Sequence, residues 1–302
     1  MEERKDITLP IGDVSLEKEL GGYYIDMRPS ISHYQTETNI YGGGIDENGV
    51  PFCANKLYFP INIAQYGFIL HAQYLENKDE KVLESLLNVV KKLDELKTVE
   101  NGYCVWWHNY YSDRYDLQPL WASAMAQGEL MSLYLRIYQI TNDEKLLDTA
   151  KQAYNFLKID FKDGGVRRLD ENNDLWLEEY PSQEPSFVLN GFIYTLFGLY
   201  DLYRVTKDEE VKKDIDACIR TLKNSLSKYD VGYWSLYDQQ NKELVRYYYQ
   251  KNVHVPQMQV LYLLTNEEIF NKYAKKWEKN VNWLNFQFMK IMYRVRPRWQ
   301  KL

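Results

Sequence analysis

The sequence is poor in cysteine, with three among 302 residues, at Cys53, Cys104 and Cys218. Because this number is odd and the spacing is wide, neither a disulfide framework nor a zinc cluster is expected. The four histidines also lack the spacing of metal ligands. We therefore predict no bound metal and no other cofactor.

The chain lacks both an excess of basic charge and a long apolar run. It has 37 Lys and Arg residues against 43 Asp and Glu residues, a net charge of -6, which argues against a nucleic-acid partner. No run of about 18 apolar residues could span a bilayer. The opening residues, MEERKDITLPIG, show no signal peptide. A cytoplasmic protein is the expectation.

Aromatic residues, in contrast, are abundant. They make up 15% of the chain, with 27 Tyr and 8 Trp, while the hydrophobic fraction of 45% and the charged fraction of 26% are typical of a folded protein. This aromatic content exceeds what a core of this size needs. The positions of the rings along the chain are therefore informative.

One apolar segment followed by one amphipathic segment recurs four times along the chain. The apolar segments predict inner helices that are covered on all sides, and the amphipathic segments predict outer helices. Recurring glycines in the inner helices predict close helix contacts, at Gly67, Gly128 and Gly191. Recurring acids between the two helices predict N-caps, at Asp79, Asp143 and Asp208.

Repeated helix pairs predict a mainly α fold, an α/α toroid of about four pairs that forms an incomplete barrel. An open helical solenoid is the alternative, but long aromatic loops between the copies favour the toroid. We expect residues 1–58 to be a strand and loop segment on the rim, helical only at 14–20, residues 59–280 to be the catalytic toroid, and residues 281–302 to be a tail. Tight turns predict one β-hairpin at 41–51 and another at the rim, with arms 232–238 and 243–250.

The loops that precede the inner helices meet at one end of such a ring, which we call the rim. Aromatic rings there can stack on a sugar, and polar groups can bind its hydroxyls and a carboxylate. An aromatic rim that merely packs the loops is the alternative. Rim residues expected to contact a substrate are Trp107, Arg114, Tyr115, Arg246 and His254.

Glu178 and Glu179 are the most prominent rim carboxylates. Because neighbouring residues of an extended chain point to opposite sides, these two are not expected to form the acid pair of a glycosidase. A second rim acid is left open among Asp113, Asp116, Asp238 and Glu243. A tyrosine near an arginine ionises more easily and can act as a base on a carbon acid.

Five segments, in order, resemble the helical catalytic region of heparosan and heparan-sulfate D-glucuronyl C5-epimerases. These long, specific matches are Pro119–Asp143, Leu175–Pro181, Ser186–Leu202, Ser235–Asp238 and His254–Leu261. The resemblance covers about residues 40–280. It implies a toroid and an isomerase that inverts carbon 5 of D-glucuronate to L-iduronate within a glycan, without a redox cofactor.

The resemblance also implies site residues. Glu179 and Tyr180 match the family's Glu-Tyr-Pro motif, Tyr237 matches a Tyr-Asp motif, and Tyr249 matches a third catalytic tyrosine. Tyr248 is the alternative to Tyr249, because the following gap is one residue longer than usual. Matches expected to bind substrate are Asn190, His254 and Gln257.

The chain departs from the family pattern near two of these tyrosines. Gln239 and Gln240 stand where a basic residue usually follows the Tyr-Asp motif, and Gln250 stands where a histidine usually follows the third tyrosine. A different cation would then bind the uronate carboxylate, and another uronic-acid polymer would be an alternative substrate. The candidate cations are Arg28, Arg114 and Arg246.

Two other functional classes stay open. A uronate lyase or a glycoside hydrolase could use the same toroid, and a non-catalytic protein could bind a glycan without reaction. The expected partner is an acidic, heparosan-like polysaccharide, and a homodimer is left open. The basic, aromatic tail 281–302 is interpreted either as an interfacial anchor, giving peripheral membrane contact, or as a last helix docked on the ring.

Overall fold

The computed structural model describes residues 7–34 and 42–299, with side chains described as far as Tyr293. Four helix pairs follow one another along this part of the chain, and the predicted toroid of four pairs is confirmed. The pairs are α1 (Pro60–Asn77) with α2 (Glu80–Leu96), α3 (Ala124–Thr141) with α4 (Glu144–Leu157), α5 (Leu189–Thr206) with α6 (Glu209–Ser225), and α8 (Val255–Thr265) with α9 (Glu268–Asn280).

The turn inside each pair is built in the same way. The inner helix ends at a residue in the left-handed conformation, such as Lys78 with φ 54° or Asn142 with φ 57°. An acidic residue then precedes the outer helix, and in three pairs its carboxylate accepts a hydrogen bond from a backbone N–H, which satisfies a free donor. These predicted N-caps, Asp79, Asp143 and Asp208, are confirmed.

The closest helix contact lies between α3 and α5, which are buried along most of their length. A Cβ on Gly128 would lie 2.5 Å from the Cα of Thr195, and one on Gly198 would lie 2.4 Å from the carbonyl oxygen of Gly128. The two backbones therefore need glycine here. A Cβ on Gly67 would meet the side chain of Leu133 at 2.6 Å.

The strands are short and lie in the connections between helices. The antiparallel pairs are β1 (Gly44–Ile45) with β2 (Pro51–Phe52), β3 (Lys97–Glu100) with β4 (Tyr103–Trp106), and β5 (Arg167–Leu169) with β6 (Leu175–Leu177). The first pair is the hairpin predicted around the turn at 46–49.

The predicted rim hairpin is wrong in its second arm. Leu236 and Leu244 form an antiparallel bridge, but Tyr247–Tyr249 is the helical turn α7 and Gln250–His254 is a π-helical segment that runs into α8. The aromatic pattern favoured a strand, yet all three tyrosines of α7 are half-buried, without the alternation between two faces that a strand imposes.

Residues 7–34 cross one end of the ring and connect the last repeat to the first. The Leu9 amide donates to Asn252 Oδ1 at 2.9 Å, just before α8, and Arg28 pairs with Glu76 of α1 at 2.9 Å. The helix expected at 14–20 is absent. The backbone carbonyls of residues 17 and 19 instead accept hydrogen bonds from Arg204 of α5.

A buried ion network fixes this segment to α3 and α5. Asp201 is fully buried and bonds to Arg136 at 2.5 Å, to Arg204 at 3.3 Å and to the Tyr24 hydroxyl at 2.8 Å. Arg136 also donates to the carbonyl of Gly21 at 3.1 Å. The network occupies the carboxyl-terminal halves of α3 and α5, so it closes the ring end opposite the rim.

The tail forms α10 (Trp283–Trp299), which docks on the rim loop before α7. The Tyr293 hydroxyl donates to the Val245 carbonyl at 2.5 Å, and the rings of Tyr247 and Phe286 lie 4.8 Å apart, edge to face. These contacts fit the docked-helix interpretation. No helix in the described residues is both long and apolar enough to cross a membrane.

We predict that Asp201→Asn lowers the free energy of unfolding by roughly 3–5 kcal/mol, because it leaves two buried guanidinium groups without their carboxylate. Urea denaturation measures this loss. The matched control is Asp216→Asn on α6, which removes an exposed partner of Lys212 and should cost about 0.5 kcal/mol or less. Equal losses in the two variants would contradict the assigned role of Asp201.

Candidate active site

The loops before α3, α5 and α8 meet at the rim, as the repeat pattern predicted. The ring of Tyr115, from the first loop, stacks on Tyr180, from the second, with centroids 4.4 Å apart. The Tyr237 hydroxyl, from the third loop, donates to Glu179 Oε1 at 3.3 Å. Residues from three repeats therefore form one cluster.

Asp238, one of the four rim acids that the sequence left open as a second acid, joins two of these loops. Its buried carboxylate accepts hydrogen bonds from Arg114 at 2.9 Å and from the Tyr115 hydroxyl at 2.8 Å. It also accepts from the backbone amides of Asn241 at 2.5 Å and Lys242 at 3.1 Å. Since its oxygens are fully engaged, Asp238 is suited to hold the site together rather than to transfer a proton.

Glu179 is the carboxyl that contacts the tyrosines of the cluster. Burial raises its pKa to about 7, although hydrogen bonds from Tyr237 and Tyr180 and the charge of Arg114 oppose the shift. A Cβ on Gly191 would lie 2.1 Å from Glu179 Oε2, so the recurring glycine of α5 makes room for this carboxyl. A group with this pKa can both accept and return a proton near neutral pH.

Glu178 points away from Glu179, as the extended backbone predicted. Its carboxylate accepts from the Ser186 hydroxyl at 2.7 Å and the Phe187 amide at 3.0 Å, and it lies 3.5 Å from Arg168. Burial also raises the pKa of Glu178 to about 7. These contacts fix the loop before α5 and leave Glu179 alone on the side of the tyrosines.

Tyr237 stands between the other two matched tyrosines. Its ring packs edge to face on Tyr249 at 5.9 Å, and its hydroxyl forms a hydrogen bond with Tyr180. Tyr248 lies one position back, with its ring 6.2 Å from that of His33. This geometry favours Tyr249 over Tyr248 as the third tyrosine of the site.

The expectation of readily ionised tyrosines is wrong for this arrangement. Burial, followed by the negative charge of Glu179, raises the pKa of both Tyr180 and Tyr237 well above the ordinary value. Arg114 lies over the Tyr237 ring at 4.4 Å and does not reverse this. The two phenols are therefore neutral hydrogen-bond donors.

Arg114 is the predicted cation that the structure brings to the cluster. It is 39% exposed and binds both Asp238 and Glu243. Burial works against its charged form, but Tyr115, Tyr237 and the two carboxylates raise its pKa above the ordinary value. Arg28 and Arg246 lie elsewhere: Arg28 pairs with Asp26 beside α1, and Arg246 packs on Tyr293 of α10.

The remaining predicted residues border the cluster or pack below it. Gln257 of α8 donates to the Asn190 carbonyl at 2.9 Å, which connects α8 to α5, and the side-chain oxygens of both residues are buried without a protein partner. His254 bonds through Nδ1 to Ser235 at 2.8 Å, and burial lowers its pKa to about 3. Trp107 packs against Phe156 of α4 instead.

Sequence reasoning missed a further buried carboxyl near the site, Glu129 of α3. It accepts from Gln65 Nε2 at 3.2 Å, and burial, with the charge of Glu179 as a further cause, raises its pKa well above the ordinary value. Tyr194 of α5 lies close enough for its pKa to be raised by Glu129. A polar residue directly after Gly128, in an otherwise apolar helix, was the available signal.

The described side chains contain no group of three or more His, Cys, Asp or Glu residues that could hold a metal ion.

The fold is shared with carbohydrate-active toroids of known structure. A sugar epimerase from a ruminal bacterium matches with a TM-score of 0.57 and 17% identity, over 84% of this chain and 66% of that one. A D-mannose isomerase matches with a TM-score of 0.53 and 10% identity, over 82% and 64%. An α-1,6-mannanase from Salegentibacter matches with a TM-score of 0.52 and 17% identity, over 78% and 65%.

Sequence comparison then identifies the family. The family model "D-glucuronyl C5-epimerase C-terminus" matches residues 95–279, and the chain belongs to this family. A Caenorhabditis elegans D-glucuronyl C5-epimerase is 37% identical over 179 residues, 53% of this chain and 29% of that protein. An uncharacterized Methanocaldococcus jannaschii protein is 34% identical over 193 residues, 63% of this chain and 62% of that protein. The chain thus spans less than two thirds of either relative.

We predict that the stability of the protein falls as the pH rises. Glu179 has an ordinary pKa of 4.5 and a folded pKa of about 7, so the folded state binds the extra proton between these values. This contribution is complete below about 4.5 and is lost through about 7. Between about pH 4.5 and 8, the free energy of unfolding should decrease by about 3 kcal/mol less in Glu179→Gln than in the unaltered protein. Urea denaturation at each pH measures this difference. Because the pKa of Glu178 is also about 7, the stability of the variant should still decrease as the pH rises. A decrease as large as that of the unaltered protein would contradict the prediction.

Proposed function

We propose that this chain carries the catalytic centre of a uronate C5-epimerase, which converts D-glucuronate to L-iduronate within a heparosan-like glycan. The observation that carries the proposal is the arrangement of Glu179, Tyr180 and Tyr249 around Tyr237, in a chain that belongs to the glucuronyl epimerase family. The family membership supports the reaction type, and the cluster supports the assignment of roles.

The first step is removal of the carbon-5 proton. Glu179, with a pKa of about 7, has an ionised fraction near neutral pH and takes the proton directly or through the hydrogen-bonded phenol of Tyr180. The electron pair left on carbon 5 delocalises into the uronate carboxylate. Arg114 and the neutral Tyr237 hydroxyl are placed to stabilise this charge, which is the main requirement of such a transition state.

The second step is proton return from the opposite face. Tyr249 donates its phenolic proton to carbon 5, which inverts the centre and leaves a tyrosinate on the enzyme. Exchange with solvent then reprotonates Tyr249 and deprotonates Glu179, so atoms and charge balance over one turnover. In the reverse direction the two groups exchange roles.

The carboxylates do not favour a hydrolase. Glu178 faces away from Glu179, and Asp238 is saturated with hydrogen bonds, so neither of these two carboxylates is available to pair with Glu179 as the second acid. A lyase shares the first step and differs in the fate of the carbanion, since it expels the substituent at carbon 4. Ultraviolet absorbance during the reaction would reveal the resulting unsaturated sugar.

We predict that the protein incorporates deuterium at carbon 5 of heparosan in deuterated water, as measured by NMR. Tyr180→Phe and Tyr249→Phe should each slow the conversion of D-glucuronate to L-iduronate by about 10² or more, the usual effect of losing a group that transfers a proton. The control is Tyr111→Phe, an exposed rim tyrosine bonded to Asp116, which should retain full activity. No incorporation into any uronate polymer tested would refute the proposed function.

We also predict that the exchange rate depends on the ionisation of Glu179. The kcat/KM for exchange from D-glucuronate should rise with pH and reach half its plateau near pH 7, because the deprotonated carboxyl is the reacting form. Glu179→Gln should lose the activity, whereas Glu178→Gln should keep the midpoint if the protein folds. A midpoint of the pH profile near 4.5, the ordinary pKa of glutamate, would contradict the proposed effect of burial on Glu179.

A further inference from the structure

A groove of about 750 Å³ lies on the rim, beside the cluster of tyrosines. Trp176 and Phe187 contribute apolar rings to its wall, and these rings stack on each other with centroids 4.5 Å apart. Four cationic side chains also line it, at Lys162, Arg168, Lys228 and Lys242. Neither the family match nor the proposed mechanism assigns a role to this groove.

One side of the groove is built from residues that shortly follow the segments carrying Tyr180 and Tyr237. Pro185 and Phe187 come shortly after Tyr180, and Gln239 and Lys242 come shortly after Tyr237. The two stretches are held together, because the Gln239 amide donates to the carbonyl of residue 186 at 3.0 Å. A polymer whose reacting unit lies at Tyr237 can therefore continue into the groove without crossing a helix.

The lysines of the groove are available to bind a ligand. Lys162, Lys228 and Lys242 are exposed, and within the described part of the chain no hydrogen bond or ion pair is found for their ammonium groups. Two of the acidic side chains that line the groove accept hydrogen bonds from backbone amides: Asp160 from Lys162 at 2.9 Å, and Asp170 from Asn172 at 2.8 Å. The third, Glu171, is exposed, so the lining carries four cationic and three acidic side chains.

Arg168 is held in a fixed orientation in the groove. Its Nη2 donates to the Ser182 carbonyl at 2.7 Å, and its guanidinium carbon lies 3.8 Å from the centre of the Phe161 ring. Three exposed ammonium groups beside one fixed guanidinium, next to apolar rings, suit a carboxylated or sulfated sugar. Arg168 also pairs with Glu178, whereas the three lysines have no such partner among the described residues. In a chain of net charge -6, this local excess of cations beside the active site favours an anionic ligand.

We propose that this groove is a distal subsite that binds the anionic sugar units next to the reacting uronate. The inference rests on the proposed function and extends it, because it names a polyanionic chain, rather than a single uronate, as the ligand. The groove contributes to the affinity for long substrates, whereas the proton transfers by Glu179 and Tyr249 are unaffected.

The test compares long and short substrates in the variant Lys162→Ala/Lys228→Ala/Lys242→Ala. These side chains are exposed, so the variant should fold. For exchange into long heparosan we expect the KM to rise at least about tenfold with an unchanged kcat, and the salt dependence of KM to weaken. For the shortest oligosaccharide that still reacts, both constants should match the unaltered protein.

The matched control is Lys91→Ala/Lys151→Ala/Lys275→Ala, which removes the same charge from exposed positions on the outer helices α2, α4 and α9. It should leave the KM for long heparosan unchanged. Equal effects of the two triple variants, or a groove variant with an unchanged KM, would overturn the subsite.

A binding measurement separates this inference from the proposed function. Fluorescence anisotropy with labelled heparosan reports affinity whether or not exchange occurs. Weakened binding in the groove variant alone supports the subsite even if no uronate exchanges, which would be a failure of the proposed function only. Unchanged binding in the groove variant refutes the subsite.

Discussion

The site depends on one buried carboxylate, Asp238. Its two oxygens bind a guanidinium group and a phenol from the loop before α3, and two backbone amides of its own loop before α8. A buried carboxylate requires this many donors to offset its lost hydration. Once these bonds form, Arg114 and Tyr237 are positioned beside Glu179, so loops that are far apart in sequence become one rigid cluster.

The same principle operates at the opposite end of the ring, where Asp201 holds the N-terminal segment against α3 and α5. This segment passes between the first and last repeats, since it bonds to Asn252 and to Glu76. It therefore stands where further helix pairs would complete a larger ring. Residues 7–34, held by the buried ion network of Asp201, fill the space between the first and last helix pairs.

The sequence predicted the parts of the molecule that depend on local pattern. Asp79 and its counterparts cap helices because the chemistry of a cap lies within a few residues, and Glu179, Tyr180 and Tyr237 meet because equivalent loops gather at one end of a ring. It could not predict that Tyr247–Tyr249 is helical. This turn continues through a π-helical segment into α8, and such a segment has no local sequence pattern that distinguishes it from a strand. Nor could the sequence place Arg28 and Arg246, whose positions depend on long-range partners, or show that burial raises rather than lowers the pKa of the tyrosines.

The central claim is that different groups serve the two faces of carbon 5, Glu179 with Tyr180 on one face and Tyr249 on the other. The most direct test measures deuterium exchange at carbon 5 by the variant Tyr249→Phe in deuterated water. D-glucuronate and L-iduronate oligosaccharides are supplied separately. The remaining base should still exchange the carbon-5 hydrogen of D-glucuronate with retention, while L-iduronate stays unlabelled. Equal labelling of both sugars, or exchange from L-iduronate alone, would contradict the account.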